Sequence, residues 1–543
     1  MKRININRKV TAMAAASFMI MSLVLGGCGA ASAQYSQTAE TVSQTEEAVS
    51  QTEEAAFAEV ETASSDSEAV SKEEEAESAS RDAEAADSGQ NTDASGTDDH
   101  SSADSAAAQA LSKEDIEITE TFENSTDEEH AVIADGEEAS YSNIAVVKTG
   151  EASGDEADFY GANAAVFATN GATLNLNEIM VDTDGTHANG VFSYGEGTTV
   201  NISDSVIETS GNCSGGLMTT GGGTTNASNL TIHTTGNSSA AIRSDRGGGT
   251  VNVTGGSYTT EGTGSPVIYS TADITVSDAQ MESTASQGVV VEGRNSVTLN
   301  NVNLTASNTT KNSDKSEWYQ AVMIYQSMSG DAAEGLASFA MNGGSLTNLN
   351  GDVFFVNNTT ASIDLRGGLI VNEDEEGVFL RAAAAGWGSE GSNGGHVTLT
   401  AQEQTIDGDM VVDEVSSLNL YLKENSSFIG AINTDGAAGE VYVEIEDGSS
   451  WTLTGDSYIT SLTCGTDSIN LNGHKLFVNG VEYTEREASE GEAIVVESTG
   501  SSSRGEHGGG GKPFGKPGDG STPPEKLEGE NGGDGSTPPA KPE

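Results

Sequence analysis

Four segments of the chain align without gaps: GATLNLNEIMVDT from residue 171, GTTVNISDSVIET from 197, GGTTNASNLTIHT from 222 and GGTVNVTGGSYTT from 248. Their shared asparagines, Asn175, Asn201, Asn226 and Asn252, are 26, 25 and 26 residues apart, and Thr275 and Thr298 continue the series at 23 and 23. A period near 25, with short strand-forming runs between Gly and Asn turns, is the signature of a β-solenoid. Each coil then carries about three strands and lies about 4.8 Å above the last.

Alternation assigns the faces, because successive side chains in a strand point to opposite sides. One apolar column reads Leu176, Ile202, Ala227, Val253, Val276, Leu299, and a second reads Val181, Ile207, Ile232, Tyr258, Met281, Leu304. A third, sixteen residues past each reference position, reads Val191, Leu217, Ile242, Ile268, Val291. These are expected interior stacks. The threonines Thr183, Thr209, Thr234 and Thr260 and the asparagine column fit side-chain ladders between stacked strands. Less regular copies follow at residues 337, 361, 395, 416, 440 and 468, and residues 130–150 read as an early coil. The expectation is an all-β, right-handed parallel β-helix over 113–500, of a dozen coils or more. Its hand follows from the right-handed preference of parallel crossovers.

Composition agrees. Aromatic residues make up only 5 %, and there are 66 glycines. The 84 acidic residues against 23 Lys and Arg give a net charge of −61, which argues against nucleic acid as a partner.

The flanks read differently. Lys2, Arg3, Arg8 and Lys9 precede an apolar run from Val10 to Leu25, too short for a comfortable membrane span. Leu25-Gly26-Gly27-Cys28 resembles the lipobox of bacterial lipoproteins, which implies a leader at 1–27 and a diacylglyceryl group on Cys28. Residues 28–112 are mostly Ala, Ser, Glu, Thr, Asp and Gln, opening with the heptads SQTAETV, SQTEEAV and SQTEEAA. One apolar position per heptad is too few for a coiled coil, so this segment is expected to be a disordered acidic stalk. Residues 501–543, with GDGSTPP twice, are expected to be a disordered tail. Together these readings imply a protein held on the extracellular face of the cytoplasmic membrane by its lipid, projecting through the cell wall.

GGGTTNASNL, SSAAIRSDRGGGTVNVTGG and GSPVIYSTADITV carry a resemblance to the right-handed β-helix surface lipoproteins of anaerobic Gram-positive bacteria, described as adhesin-like and placed in the broad pectin-lyase-like fold group. The resemblance spans about 115–500 and implies a fold and a surface location more firmly than an activity. The lyase pattern R-x-P-x-x-R is absent. Asn433-Thr434-Asp435 matches the first polygalacturonase motif, but no Asp-Asp, G-H-G or R-I-K follows it. DTDGTH (182–187) reads as a turn. No catalytic residue, metal ligand or cofactor is assigned, although Ca²⁺ remains conceivable on the outward column Asp182, Glu208, His233.

Arg243 follows the interior Ile242 and is expected to point outward, in a stripe with Phe167, Phe192, Met218, Tyr269 and Glu292. An aromatic and basic stripe suits stacking on sugar rings. Arg246 lies three residues on, and the bland alternative is that both arginines neutralise Asp245 and its neighbours while a loop covers the stripe. Trp318 and Trp387 sit on the two long coils, Thr298 to Ala340 (42 residues) and Asp364 to Thr398 (34), where solenoids carry binding loops; the alternative is that each Trp pins its own loop to the coil. The expected function is that of a non-catalytic, adhesin-like surface protein recognising glycans or a surface protein. The alternatives are a polysaccharide lyase or hydrolase, and a purely structural surface component.

Overall fold

One residue in each coil sets the first corner. Asn143, Glu178, Asp204, Asn229, Asp278 and Asn301 all have φ between 48° and 56°, the left-handed region that Asn and Asp tolerate best among residues with a β-carbon. A single such residue turns the chain sharply without breaking strand pairing. Its side chain helps to hold the corner: Asn143 donates to Glu178 (3.0 Å), Asn229 to Asp204 (2.7 Å) and Asn301 to Asp278 (2.7 Å).

The computed structural model describes residues 110–311, 315–436 and 439–496, and these wind into a parallel β-helix. The strands before the corner (face A, for example Thr173–Asn177) and after it (face B, Met180–Thr183) form one bent sheet of 21 strands. Face C, for example Val191–Tyr194, is a separate sheet of 11 strands. Near the C-terminal end face B continues as a 4-stranded sheet, and a 3-stranded sheet finishes the coil. Its last pair, Leu476–Val478 with Val481–Glu482, is antiparallel and interrupts the open stacking edge. The proposed leader 1–27, Cys28, the stalk up to residue 109 and the tail 501–543 lie outside the described residues.

The interior columns form as the alternation predicts. Leu176 pairs with Ile202, Ile202 with Ala227 and Ala227 with Val253; Val181, Ile207, Ile232 and Tyr258 stack likewise, all buried. Burying each such side chain is worth about 1.5–3 kcal/mol, and a one-residue slip would turn whole rows outward, so register is strongly held. The third column needs correcting at one position. Ile268 pairs with Val289, not Val291, because the 23-residue coil is shortened before face C and the row there comes two residues early. Similarly, Asp364 pairs with Thr400 rather than Thr398, which makes that coil 36 residues long.

The corner between faces B and C is built from backbone contacts. Thr234 donates to the Ser239 carbonyl, and the Ser239 hydroxyl donates to the Gly211 carbonyl of the coil before at 3.0 Å. Thr209–Ser214 and Thr260–Ser265 repeat this arrangement. Gly185, Gly211, Gly236 and Gly262 lie directly against one another's backbone, leaving no room for a β-carbon.

Candidate functional site

Arg243 does point outward from face C, in register with Met218 and Tyr269, and Phe167 and Phe192 continue the row. Val290, not Glu292, is the next member; Glu292 sits two residues along on the same outward side. The row is not an open surface. Phe167, Phe192, Met218, Arg243, Tyr269 and Trp387 are all buried, so the row is covered and is not the solvent-facing stripe that the sugar-stacking reading needs. Face C is covered by inserted segments that carry no trace of the repeat.

Over the first half lies a short helix, α1 (Asp155–Tyr160), which ends at Gly161 in the left-handed conformation. Gly161 rests on the Phe167 and Phe192 rings, where any side chain would collide, and Thr220 donates to the Phe159 carbonyl at 2.6 Å. Over the second half Trp387 packs edge-on to Tyr325 (5.2 Å between centroids), held by Asn393, which donates to the Trp387 carbonyl. Trp318 is half-buried between Phe355 (5.4 Å) and the Arg381 guanidinium (4.7 Å), itself paired with Asp352 at 2.6 Å. Both tryptophans pin loops to the coil.

Between these covers lies a charged network. Arg243 pairs with Asp245 at 2.8 Å, with both side chains buried. Arg246 lies over the Phe159 ring (3.9 Å), reaches Asp155 on α1 at 3.2 Å and binds Asp331 at 2.8 Å. It therefore ties residues 91 and 85 positions away to one coil. Buried His187, from the DTDGTH turn, faces buried Asp158 of α1 at 3.0 Å. The Cys213 sulfur lies within 4.8 Å of both, but Asp158 and His187 already face each other, and the trio carries no sign of a metal centre beyond this proximity. Glu292 accepts hydrogen bonds from Tyr269 and, at 3.0 Å, from Tyr325. Burial, with Asp245 nearby, pushes its carboxyl up to about 7, against the pull of these hydroxyls and Ser327. Acids are clustered here, but they are sealed in. The sequence marked Arg243 and Arg246 but missed the roles of Asp158, His187, Asp331 and Tyr325; the available signals were the 35-residue step from Ser140 to Asn175, ten residues over the period, and the 42-residue coil that carries Tyr325 and Asp331.

The column considered for a cation is occupied by an amine. Lys113 pairs with Asp182 (2.8 Å) and Glu208 (2.6 Å), and His233 pairs with Glu261 at 2.9 Å.

Face A is different. The Asn252 amide donates to Asn226 at 3.0 Å, Asn226 to Asn201 at 2.9 Å, Asn201 to Asn175 at 2.9 Å, and Asn175 to the Ser140 hydroxyl at 3.4 Å. A parallel row, Ser142, Asn177, Ser203, Ser228 and Thr254, runs beside it, with Ser203 donating to Asn177 at 2.7 Å. The two rows and Tyr141 line a shallow depression of about 450 Å³. Each central amide has two N–H donors and two acceptor lone pairs and spends one of each on its neighbours, leaving one of each for an approaching group. No charged side chain lines this depression, whereas the outward row of face B contains Asp182, Glu208 and Glu282.

No family model matches the chain, and neither the curated proteins nor the solved structures searched contain a match.

Proposed function

We propose that the chain is a non-catalytic, adhesin-like surface protein, anchored by lipid at Cys28 and carried on the acidic 28–112 segment, whose β-helix recognises neutral glycans. The observation that carries this reading is the uncharged amide and hydroxyl depression on face A, in a chain of net charge −61. Sugar hydroxyls both donate and accept, which matches a donor and an acceptor repeated at every coil. A ladder that fixes those groups before binding reduces the ordering cost that weakens most polar recognition. The rows advance by about 4.8 Å per coil, so an extended chain of sugar rings lying along the helix axis would meet a similar set of partners at each step.

The buried face C supports the non-catalytic part. Its clustered acids have no open approach, while the depression is lined without a carboxylate or histidine. The covered stripe also fits a purely structural surface component, which the same test distinguishes. In a screen of the intact chain against neutral and anionic polysaccharides, with and without Ca²⁺, neutral glycans are expected to bind and polyuronates are not. Retention of neutral glycans without cleavage, unchanged by Ca²⁺, is the expected result. Cleavage products would favour the enzyme reading, and no binding at all would favour the structural one.

A further inference from the structure

We infer that the cover over the middle of face C, formed by α1 and residues 326–335, is a pH-dependent latch that is fastened while Glu292 is protonated and loosens as that proton leaves.

Four carboxylates, Asp158, Asp245, Glu292 and Asp331, are buried or nearly so around two guanidiniums, Arg243 and Arg246. With every group ionised and His187 neutral, this cluster holds two unmatched negative charges in a place where water cannot screen them. A proton on Glu292 removes one of them. Glu292 is held by hydroxyl groups. Its neighbours are the Tyr269 hydroxyl from the preceding coil, Tyr325 from the following one, Ser327 at the root of the covering segment, and Asp245 with Arg243 to one side. The imbalance lies beneath the covering segment itself.

That segment is lightly held. Met328, Ser329, Gly330, Ala333, Glu334 and Gly335 are exposed, and Gly330 and Gly335 take backbone conformations open to glycine. Its attachments include Asp331 to Arg246, the Arg294 amide to the Ala333 carbonyl, Asn358 donating to the Gln326 carbonyl at 2.8 Å, and Ser327 to Glu292. A stretch with few buried contacts opens more readily than the coils beneath it. Arg246 joins both halves of the latch, since it also holds Asp155 and lies on Phe159 of α1. Charge on Glu292 reaches that fastening point through Asp245, which lies near both Glu292 and Asp331. The face beneath carries the aromatic and basic row, so opening would change what the protein presents.

The direction follows from linkage. A carboxyl raised from 4.5 to about 7 in the closed form favours closure most at low pH and loses that contribution as pH rises through about 7. With an ordinary carboxyl in the open form, the opening equilibrium grows about thirtyfold between pH 5.5 and 8.5. Hydrogen–deuterium exchange of the intact chain, corrected for the intrinsic pH dependence of amide exchange, reads this directly. Peptides covering 326–335 and 155–160 are expected to lose protection by that factor at pH 8.5, while face A peptides do not. In Glu292→Gln, which keeps an acceptor for both tyrosines, protection should be the same at the two pH values. Equal protection of the wild-type segment at both pH values, or an unchanged pH response in Glu292→Gln, overturns the latch. If that variant folds poorly, infrared spectroscopy of the wild type provides the second reading: a buried protonated carboxyl band that disappears near pH 7 supports the inference, and its absence at pH 6 refutes it.

Discussion

Arg243→Ala is expected to destabilise the β-helix by about 3–5 kcal/mol, because it removes one partner of a buried pair and leaves the other charge without compensation. Asp245 is 1 % exposed and has the Arg243 guanidinium at 2.8 Å, while Asp158 acts on the same group. The loss has two sources that a second substitution separates. Asp245→Asn in the Arg243→Ala background removes the stranded carboxylate, so the double variant is expected to recover at least half of the loss in denaturant unfolding. Packing lost with the arginine stem stays lost in both. A single-variant effect below about 1 kcal/mol, typical of an exposed ion pair, would show that the arginine is not a buried fastening.

Gly236→Ala is expected to have an effect of similar size for a different reason. The new β-carbon would fall well inside contact distance of the Gly211 carbonyl oxygen, with the Ser239 hydroxyl oxygen also at 2.9 Å. Neither neighbour can withdraw, because the Ser239 hydroxyl is itself bonded to that carbonyl. Overpacking against backbone costs about 3 kcal/mol or more where the structure cannot relax. The cost should stay local, since each coil of a solenoid contacts only its neighbours. Hydrogen exchange is therefore expected to rise across residues 205–265, with little change beyond residue 400. A variant as stable as the parent would mean that the coils are spaced more widely at this corner than described.

The interior was legible because its cause is periodic. A residue such as Ile232 must be apolar for the same reason as Ile207 one coil before and Tyr258 one coil after. Where the period breaks, so does the reading. Val291 was assigned to the row that Val289 occupies because a coil of 23 residues loses its two residues before face C, and nothing in the spacing of the reference threonines says where. A covering loop was foreseen as an alternative, but the groups that fasten it were illegible for a deeper reason. The α1 segment is short and acidic, and Asp158 and Asp331 are buried only because non-repeating loops close over them. In a chain with 84 acidic residues, nothing local separates these from solvated ones. The arginines stood out because cations are scarce, and their environment proved closer to charge balance than to an exposed receptor stripe. The asparagine column was seen as a ladder; its concavity and lack of charge became apparent only once the neighbouring row lay beside it.

The most direct test of the glycan reading is calorimetric titration of the intact chain with a neutral polysaccharide retained in the screen, set beside Asn201→Asp/Asn226→Asp. These changes keep side-chain size, place two carboxylates in the face A depression, and leave face C untouched. The account predicts a loss of affinity of at least tenfold, about 1.4 kcal/mol, with the thermal midpoint lowered only modestly. Wild-type binding that survives unchanged in the double variant would contradict the assignment of face A as the recognition surface.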